Sequence, residues 1–117
     1  RAGLVPGGGV AYLRARAQAR VDDMDDPDVA AGVHVLRTAI QAPFLQILAN
    51  AGIEALPELA KVERLPDWEG LNAASGQYGN LRDMGVVDAT SVTCSALRHA
   101  TSVAGMLLTT ECVVTCA

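Results

Sequence analysis

Residues able to do covalent or metal chemistry are sparse in this chain, and their spacing joins none of them into a site. His34 falls in a helical pattern with no second His or Cys near it, which fits a surface or half-buried histidine rather than a ligand. The three cysteines, Cys94, Cys112 and Cys116, are odd in number and stand eighteen and four residues apart. That pattern suits neither a disulfide framework nor a zinc site. It reads instead as small thiols, buried or half-exposed, in a reducing compartment. What remains is hydrogen-bonding chemistry, concentrated in "LNAASGQYGNLRDMGVVDATSV", residues 71–92. Asn72 offers an amide, and Asp88 a carboxylate that accepts several hydrogen bonds. Ala73, Ala74 and Val86, which stand between them, carry nothing reactive. Asn72 also suits a hairpin turn, and Asp88 suits the N-cap of the helix that follows. The other candidate is "PGGGV", where Gly7, Gly8 and Gly9 precede a helical pattern. Such glycines are either a flexible entry or a place where a ligand reaches backbone N–H groups that attract anions.

These residues need a scaffold, and composition narrows its kind. The chain has 117 residues, of which 50% are hydrophobic. That suits one small domain or a piece of a larger one, burying somewhat over ~60% of the surface of its unfolded chain. Tyr12, Phe44, Trp68 and Tyr78 are the only large aromatic residues, so Ala, Val, Leu and Ile must fill the core. Small side chains let helices approach closely. The formal net charge is -4, and Arg14, Arg16 and Arg20 form the only local basic group, followed by Asp22, Asp23, Asp25 and Asp26. This reads as a solvated helix face, and it lacks the concentrated positive stripe of a nucleic-acid surface. No segment has the layout of a signal peptide. The longest apolar run is too short and interrupted to span a membrane. The expectation is a cytoplasmic protein without nucleic-acid or membrane partners.

Periodicity then places the elements. Val10, Leu13, Ala17 and Val21 form a helical stripe after the glycines. Asp26 can cap and Pro27 can open a second helix, whose stripe is Val29, Val33, Leu36 and Ile40. Pro43 clashes with the carbonyl of Ala39, so that helix kinks or breaks there. Phe44, Ile47 and Leu48 continue the apolar face, and Gly52 is a helix stop. "EALPELAKVERL" is a short helix with Pro57 near its start, and Ser75-Gly76 marks the turn of a small hairpin from about Gly70 to Asn80. The last helix runs from Asp88 to Cys112, with Val92, Ala96, Val103 and Leu107 on one stripe and small residues on its other faces. That composition predicts burial on several sides. Val113 and Val114 can form a short terminal strand. The expected fold is all-α, mainly helical, with one small β-hairpin.

The order of these features resembles a known family. "GGGVA", then "RTAIQAPFLQILANAG", then "GLNAASGQYGNLRDMGVVDATSVTCSALRHATSVAGMLLTTECVVT" is similar to the C-terminal part of the equatorial domain of group I chaperonins, the GroEL family. The likeness is weakest over residues 14–25 and 54–69 and strongest over residues 72–115. It implies a segment, residues 1–117, of an ATP-binding domain that is incomplete here. By resemblance, Gly8 approaches the nucleotide through its backbone, Asn72, Ala73 and Ala74 line the adenine end, Val86 packs near the base, and Asp88 accepts from the ribose hydroxyls. The chemistry is consistent, since alanines leave a flat slot for a purine, an amide pairs with its edge, and a carboxylate takes two hydroxyls. The family's "GDGTT" phosphate loop, its metal-binding aspartate and the aspartate that activates water are not among these residues. The apical and intermediate parts are not represented either. The resemblance thus implies an ATPase parent with ATP and Mg2+ as cofactors, the metal ligands lying outside this chain. The 117-residue chain alone is expected to be inactive, since phosphoryl transfer depends on positioning and charge stabilisation.

The family also implies partners: further subunits in a homo-oligomeric ring, contacted through helices of this segment, and unfolded clients and a co-chaperonin bound by other domains. Some positions depart from the family pattern. Cys94 and Cys116 replace an Arg and an acidic residue, Arg1 and Ala2 replace two acids, and "RLPDWEG" replaces a glycine-rich stretch. These departures suit a second reading, a self-standing helical protein-interaction module derived from the same fold and lacking ATPase activity. The intact mass of the natural product separates the two.

Overall fold

The computed structural model describes residues 3–18 and 26–109. Along them run β1 (Leu4–Pro6), α1 (Val10–Gln18), α2 (Pro27–Ala39), α3 (Ala42–Asn50), α4 (Ala55–Glu63), β2 (Glu69–Asn72), β3 (Gln77–Asn80), β4 (Val87–Ala89) and α5 (Thr90–Thr109). The fold is mainly helical, as the sequence predicts. β2 and β3 form the expected antiparallel hairpin, with Leu71 opposite Tyr78 and Asn72 opposite Gln77. β1 and β4 form another two-stranded sheet. No sequence signal pointed to it, because each strand is three residues long and its partner is remote in sequence.

Local chemistry fixes the helix boundaries. The Asp26 carboxylate accepts from the Asp28 N–H at 2.9 Å, and Pro27 takes the first turn of α2, where its missing N–H costs nothing. α2 ends at Ala39, the residue whose carbonyl Pro43 would crowd, and α3 restarts with Pro43 in its first turn. α3 closes in a Schellman motif. The Ile53 N–H donates to Leu48 O at 2.9 Å, the Gly52 N–H donates to Ala49 O at 3.0 Å, and Gly52 supplies the left-handed backbone at φ 76°.

The chain divides into two compact units. In the larger, Val5–Val87, the core joins Val10 and Leu13 of α1, Phe44 and Leu48 of α3, Leu59 and Val62 of α4, and Leu71 and Leu81 around the hairpin. Not every apolar stripe is covered. Ala17 is exposed, and Val21 lies outside the described residues. α2 has no buried residue, with Val29 and Leu36 exposed, and Ile40 is buried only in the turn after it. The end of α2 is held to α1 through polar bonds: Arg16 Nε donates to Arg37 O at 2.9 Å and Arg37 Nη1 donates to Arg16 O at 3.0 Å.

The smaller unit combines, among the described residues, 3–4 with 88–109. The Thr90 N–H and hydroxyl both donate to Gly3 O, at 2.9 and 2.8 Å, which holds the start of α5. The expected burial of this helix is not met: no residue of α5 is buried, and Val92, Val103, Met106 and Leu107 are exposed. The physical reason is that an apolar face needs an opposing surface, and this unit offers one helix and strand ends. Cys112 and the expected strand at Val113 and Val114 lie outside the described residues.

Candidate functional site

The three glycines turn the chain from β1 into α1, and each answers a different demand. The Gly7 N–H donates to Val86 O at 2.9 Å, and a Cβ on Gly7 would stand 3.1 Å from the Val86 carbonyl carbon. Gly9, at φ 81°, lies against the start of α3, where a Cβ would come within 2.6 Å of Phe44 N. Gly8 also has a left-handed backbone, φ 66°, but a Cβ there would meet only Val86 Cγ1 at 3.8 Å and Leu71 O at 3.9 Å. Packing therefore excludes a side chain at Gly9 and crowds one at Gly7, while Gly8 has ordinary van der Waals room around it.

Leu71 is buried on β2, and Asn72 ends that strand. Asn72 Oδ1 accepts from the Ala74 N–H at 3.0 Å and the Ser75 N–H at 3.4 Å, and Asn72 O accepts from the Gly76 N–H at 2.7 Å. The residue thus has the turn role foreseen as an alternative, which leaves its Nδ2 amide to offer a ligand. A like device follows β3, where Asn80 Oδ1 accepts from the Arg82 N–H at 2.9 Å and the Asp83 N–H at 3.2 Å. Gly85, φ 75°, and a bond of 2.8 Å from the Val86 N–H to Leu81 O then bring Val86 back toward Gly7.

The larger unit therefore gathers Gly8, Leu71 near the end of β2 and Val86, with Ala73 in the turn that follows the strand. Ala73 and Val86 also pack on the core, so each has a structural reason to be apolar. Ala74 is exposed in the hairpin turn. Asp88 belongs to the smaller unit, where it is exposed within β4. The capping alternative for Asp88 is corrected: α5 begins at Thr90, so Ala89 and not Asp88 precedes it. Among the described residues no cluster of His, Cys, Asp or Glu could hold a metal ion. An open depression lined by His34, Val35, Thr38 and Ala39 lies on α2, which carries none of the candidate nucleotide-binding residues. Cys94 is exposed, where a buried or half-exposed thiol was expected.

Sequence reasoning missed three arrangements here. Arg14, read as part of a solvated face, is half-buried, and its guanidinium donates to four backbone carbonyls between Val62 and Glu69. Burial pulls its pKa below the ordinary arginine value, while Asp67 and Glu63 oppose the shift. Tyr78 on β3 donates its hydroxyl to Glu58 on α4. Burial, that hydrogen bond and the Glu58 charge, in that order, push its pKa up to about 12. The Arg82 guanidinium lies 4.3 Å over the Trp68 ring, a cation–π contact. Only an alternating pattern could have placed Tyr78 near a neighbouring helix. Arg14 gave no signal, because its partners are backbone carbonyls 48 to 55 residues away.

The whole chain, residues 1–117, matches the TCP-1/cpn60 chaperonin family. It belongs to that family. Among solved structures it is similar to a group III chaperonin in the open state, with 27% identity and a TM-score of 0.84 over 96% of this chain and 24% of that one. It is also similar in fold to the open-state monomer of a group II chaperonin from Methanococcoides burtonii, with 17% identity and a TM-score of 0.83 over 92% of this chain and 28% of that one. The chain thus spans about a quarter of the length of these structures. Neither is a group I protein, so the comparisons support the family without singling out the group I branch. No helix among the described residues is long and apolar enough to cross a membrane.

Proposed function

We propose that this chain is the C-terminal segment of the equatorial domain of an ATP-dependent group I chaperonin, and that it supplies the adenine and ribose side of the nucleotide site. The observation that carries the reading is the convergence of Gly8, Leu71 near the end of β2 and Val86 in one unit, with Ala73 packed on the same core. Gly8 leaves the backbone approachable, and the Ala73 and Val86 side chains give a low apolar surface of the kind a purine face needs. Asn72 Nδ2 can donate to the base edge. Asp88 enters as the ribose acceptor through its place in the "GVVDATSV" motif. That motif and the unbroken likeness over residues 72–115 support the group I branch.

ATP fits these residues at its non-reacting end. Mg2+ and the groups that act on the phosphates would be held by other parts of the protein. The parent protein would be a cytoplasmic homo-oligomeric ring that couples ATP hydrolysis to the folding of clients held, with a co-chaperonin, by its other domains. The test is calorimetric titration of ATP into the full-length protein and its Asp88→Asn variant. Asn keeps the shape and removes the charge. Loss of a charged acceptor removes roughly 1.5–3 kcal/mol, so the dissociation constant should rise about tenfold or more. Because Asp88 does not cap α5, the nucleotide-free melting temperature should not move. Equal affinities would remove Asp88 from the site, and no ATP binding by the wild type would overturn the nucleotide reading.

A further inference from the structure

We infer that Arg14 is a positioning residue for the proposed nucleotide site: its guanidinium fixes the placement of Gly8 against the Leu71–Asn72 end of β2. The inference rests on the nucleotide reading above. Arg14 stands on α1, the helix that leaves the glycine turn. Its Nη1 donates to Val62 O at 2.9 Å, its Nε to Asp67 O at 3.2 Å, and its Nη2 to Pro66 O at 3.1 Å and Glu69 O at 2.7 Å. Val62 lies in the last turn of α4, and its carbonyl, which also accepts from the Leu65 N–H at 3.0 Å, has a second lone pair for the guanidinium. Glu69 is the first residue of β2. One planar fork therefore draws the whole α4–β2 connection onto α1.

Beyond that clamp the two elements touch again. A Cβ on Gly70 would lie 3.1 Å from Val10 Cγ2, so β2 presses on the first residue of α1. Just past this contact Gly8 lies beside Leu71 O, which a Cβ on Gly8 would meet at 3.9 Å. Without the fork, α1 and β2 are joined by apolar packing, which is non-directional and sets spacing less sharply. A displacement of about 1 Å is enough to weaken a positioned contact severely. Lysine cannot take the place of Arg14, because an ammonium is a point charge without a planar fork.

The experiment uses the full-length protein with Arg14→Lys and, as control, Arg16→Lys. Arg16 also leaves α1, but it bonds Arg37 O and Glu63 and nothing on β2. Binding of ADP and of inorganic triphosphate is measured by calorimetry, beside the melting temperature. Arg14→Lys should weaken ADP about tenfold, leave triphosphate unchanged, and exceed any effect of Arg16→Lys. Unchanged ADP affinity overturns the inference. So does equal weakening in both variants, or of both ligands, since either marks a general loss of stability. If Arg14→Lys does not fold, hydrogen exchange on the wild type decides: ADP should protect amides of residues 67–69 together with those of residues 71–76. Protection of the hairpin turn alone overturns the inference. Wild type that binds no ADP brings down the nucleotide reading and this inference together. ADP binding weakened by Asp88→Asn but not by Arg14→Lys brings down the inference alone.

Discussion

Replacing Gly9 with alanine tests whether the glycine turn is fixed by packing or only by backbone freedom. Gly9 has φ 81°, and a Cβ there would lie 2.6 Å from Phe44 N, 2.7 Å from Phe44 Cα and 3.0 Å from Phe44 Cβ. These are mostly backbone atoms at the start of α3, so no side-chain rotation relieves the overlap. Phe44 is itself 1% exposed and among the largest buried side chains, so α3 can shift only by disturbing the core. A left-handed alanine costs about 1–2 kcal/mol, and overpacking adds about 1–3 kcal/mol. The stiffer unfolded chain offsets about 0.4–1 kcal/mol. The net is a loss of roughly 1–5 kcal/mol, centred near about 3, a large part of a typical stability of about 5–15 kcal/mol. Gly52→Ala is the matched control, with φ 76° and nothing within 4 Å of the added carbon. It carries the backbone cost without the overlap and should lose about 1 kcal/mol. Urea unfolding of the wild type and both variants, with slopes compared, measures the difference. If Gly9→Ala is no worse than Gly52→Ala, the close approach to α3 does not constrain this turn and the reasoning fails.

Two further outcomes follow from local contacts. Asp26→Ala should destabilise by about 0.5–2 kcal/mol and Asp26→Asn by almost nothing, because both Asp and Asn accept from the Asp28 N–H; the urea midpoints check this. Tyr78 has its pKa raised from 10.0 to about 12, so the folded state holds the phenolic proton more tightly than the unfolded chain. Its contribution is therefore full below about pH 10 and is lost as pH rises toward about 12. The stability advantage of wild type over Tyr78→Phe should shrink across that window, and an advantage that stays constant would show that the bond to Glu58 does not couple to the proton.

Local sterics are written in single residues, and this is why much of the fold was legible. Asp26 with Pro27, Pro43 after Ala39, Gly52 with its left-handed backbone, and the Ser75-Gly76 turn each act within a few residues. No distant partner was needed to read them. Motif order also carried the family, through the stretch from Asn72 onward, and it named Gly8, Asn72, Ala73, Ala74, Val86 and Asp88 as candidates. What it left open at Asn72 was whether the side chain also serves the hairpin turn. The turn geometry decided that, since Oδ1 accepts from two backbone N–H groups.

Only the tertiary structure could decide what depends on residues far apart in sequence. Gly9 reads as flexible until Phe44 is placed against it. Arg14 reads as a solvated charge until the α4–β2 carbonyls arrive around its fork. The stripes of α2 and α5 show the same division in the opposite sense. A 3.6-residue period reveals that a helix has an apolar side, and that much the sequence determined. It cannot say whether anything lies opposite, and in this chain Val29, Leu36, Val92 and Leu107 remain exposed. Burial is a property of two surfaces, and the chain's own sequence encodes one of them at a time.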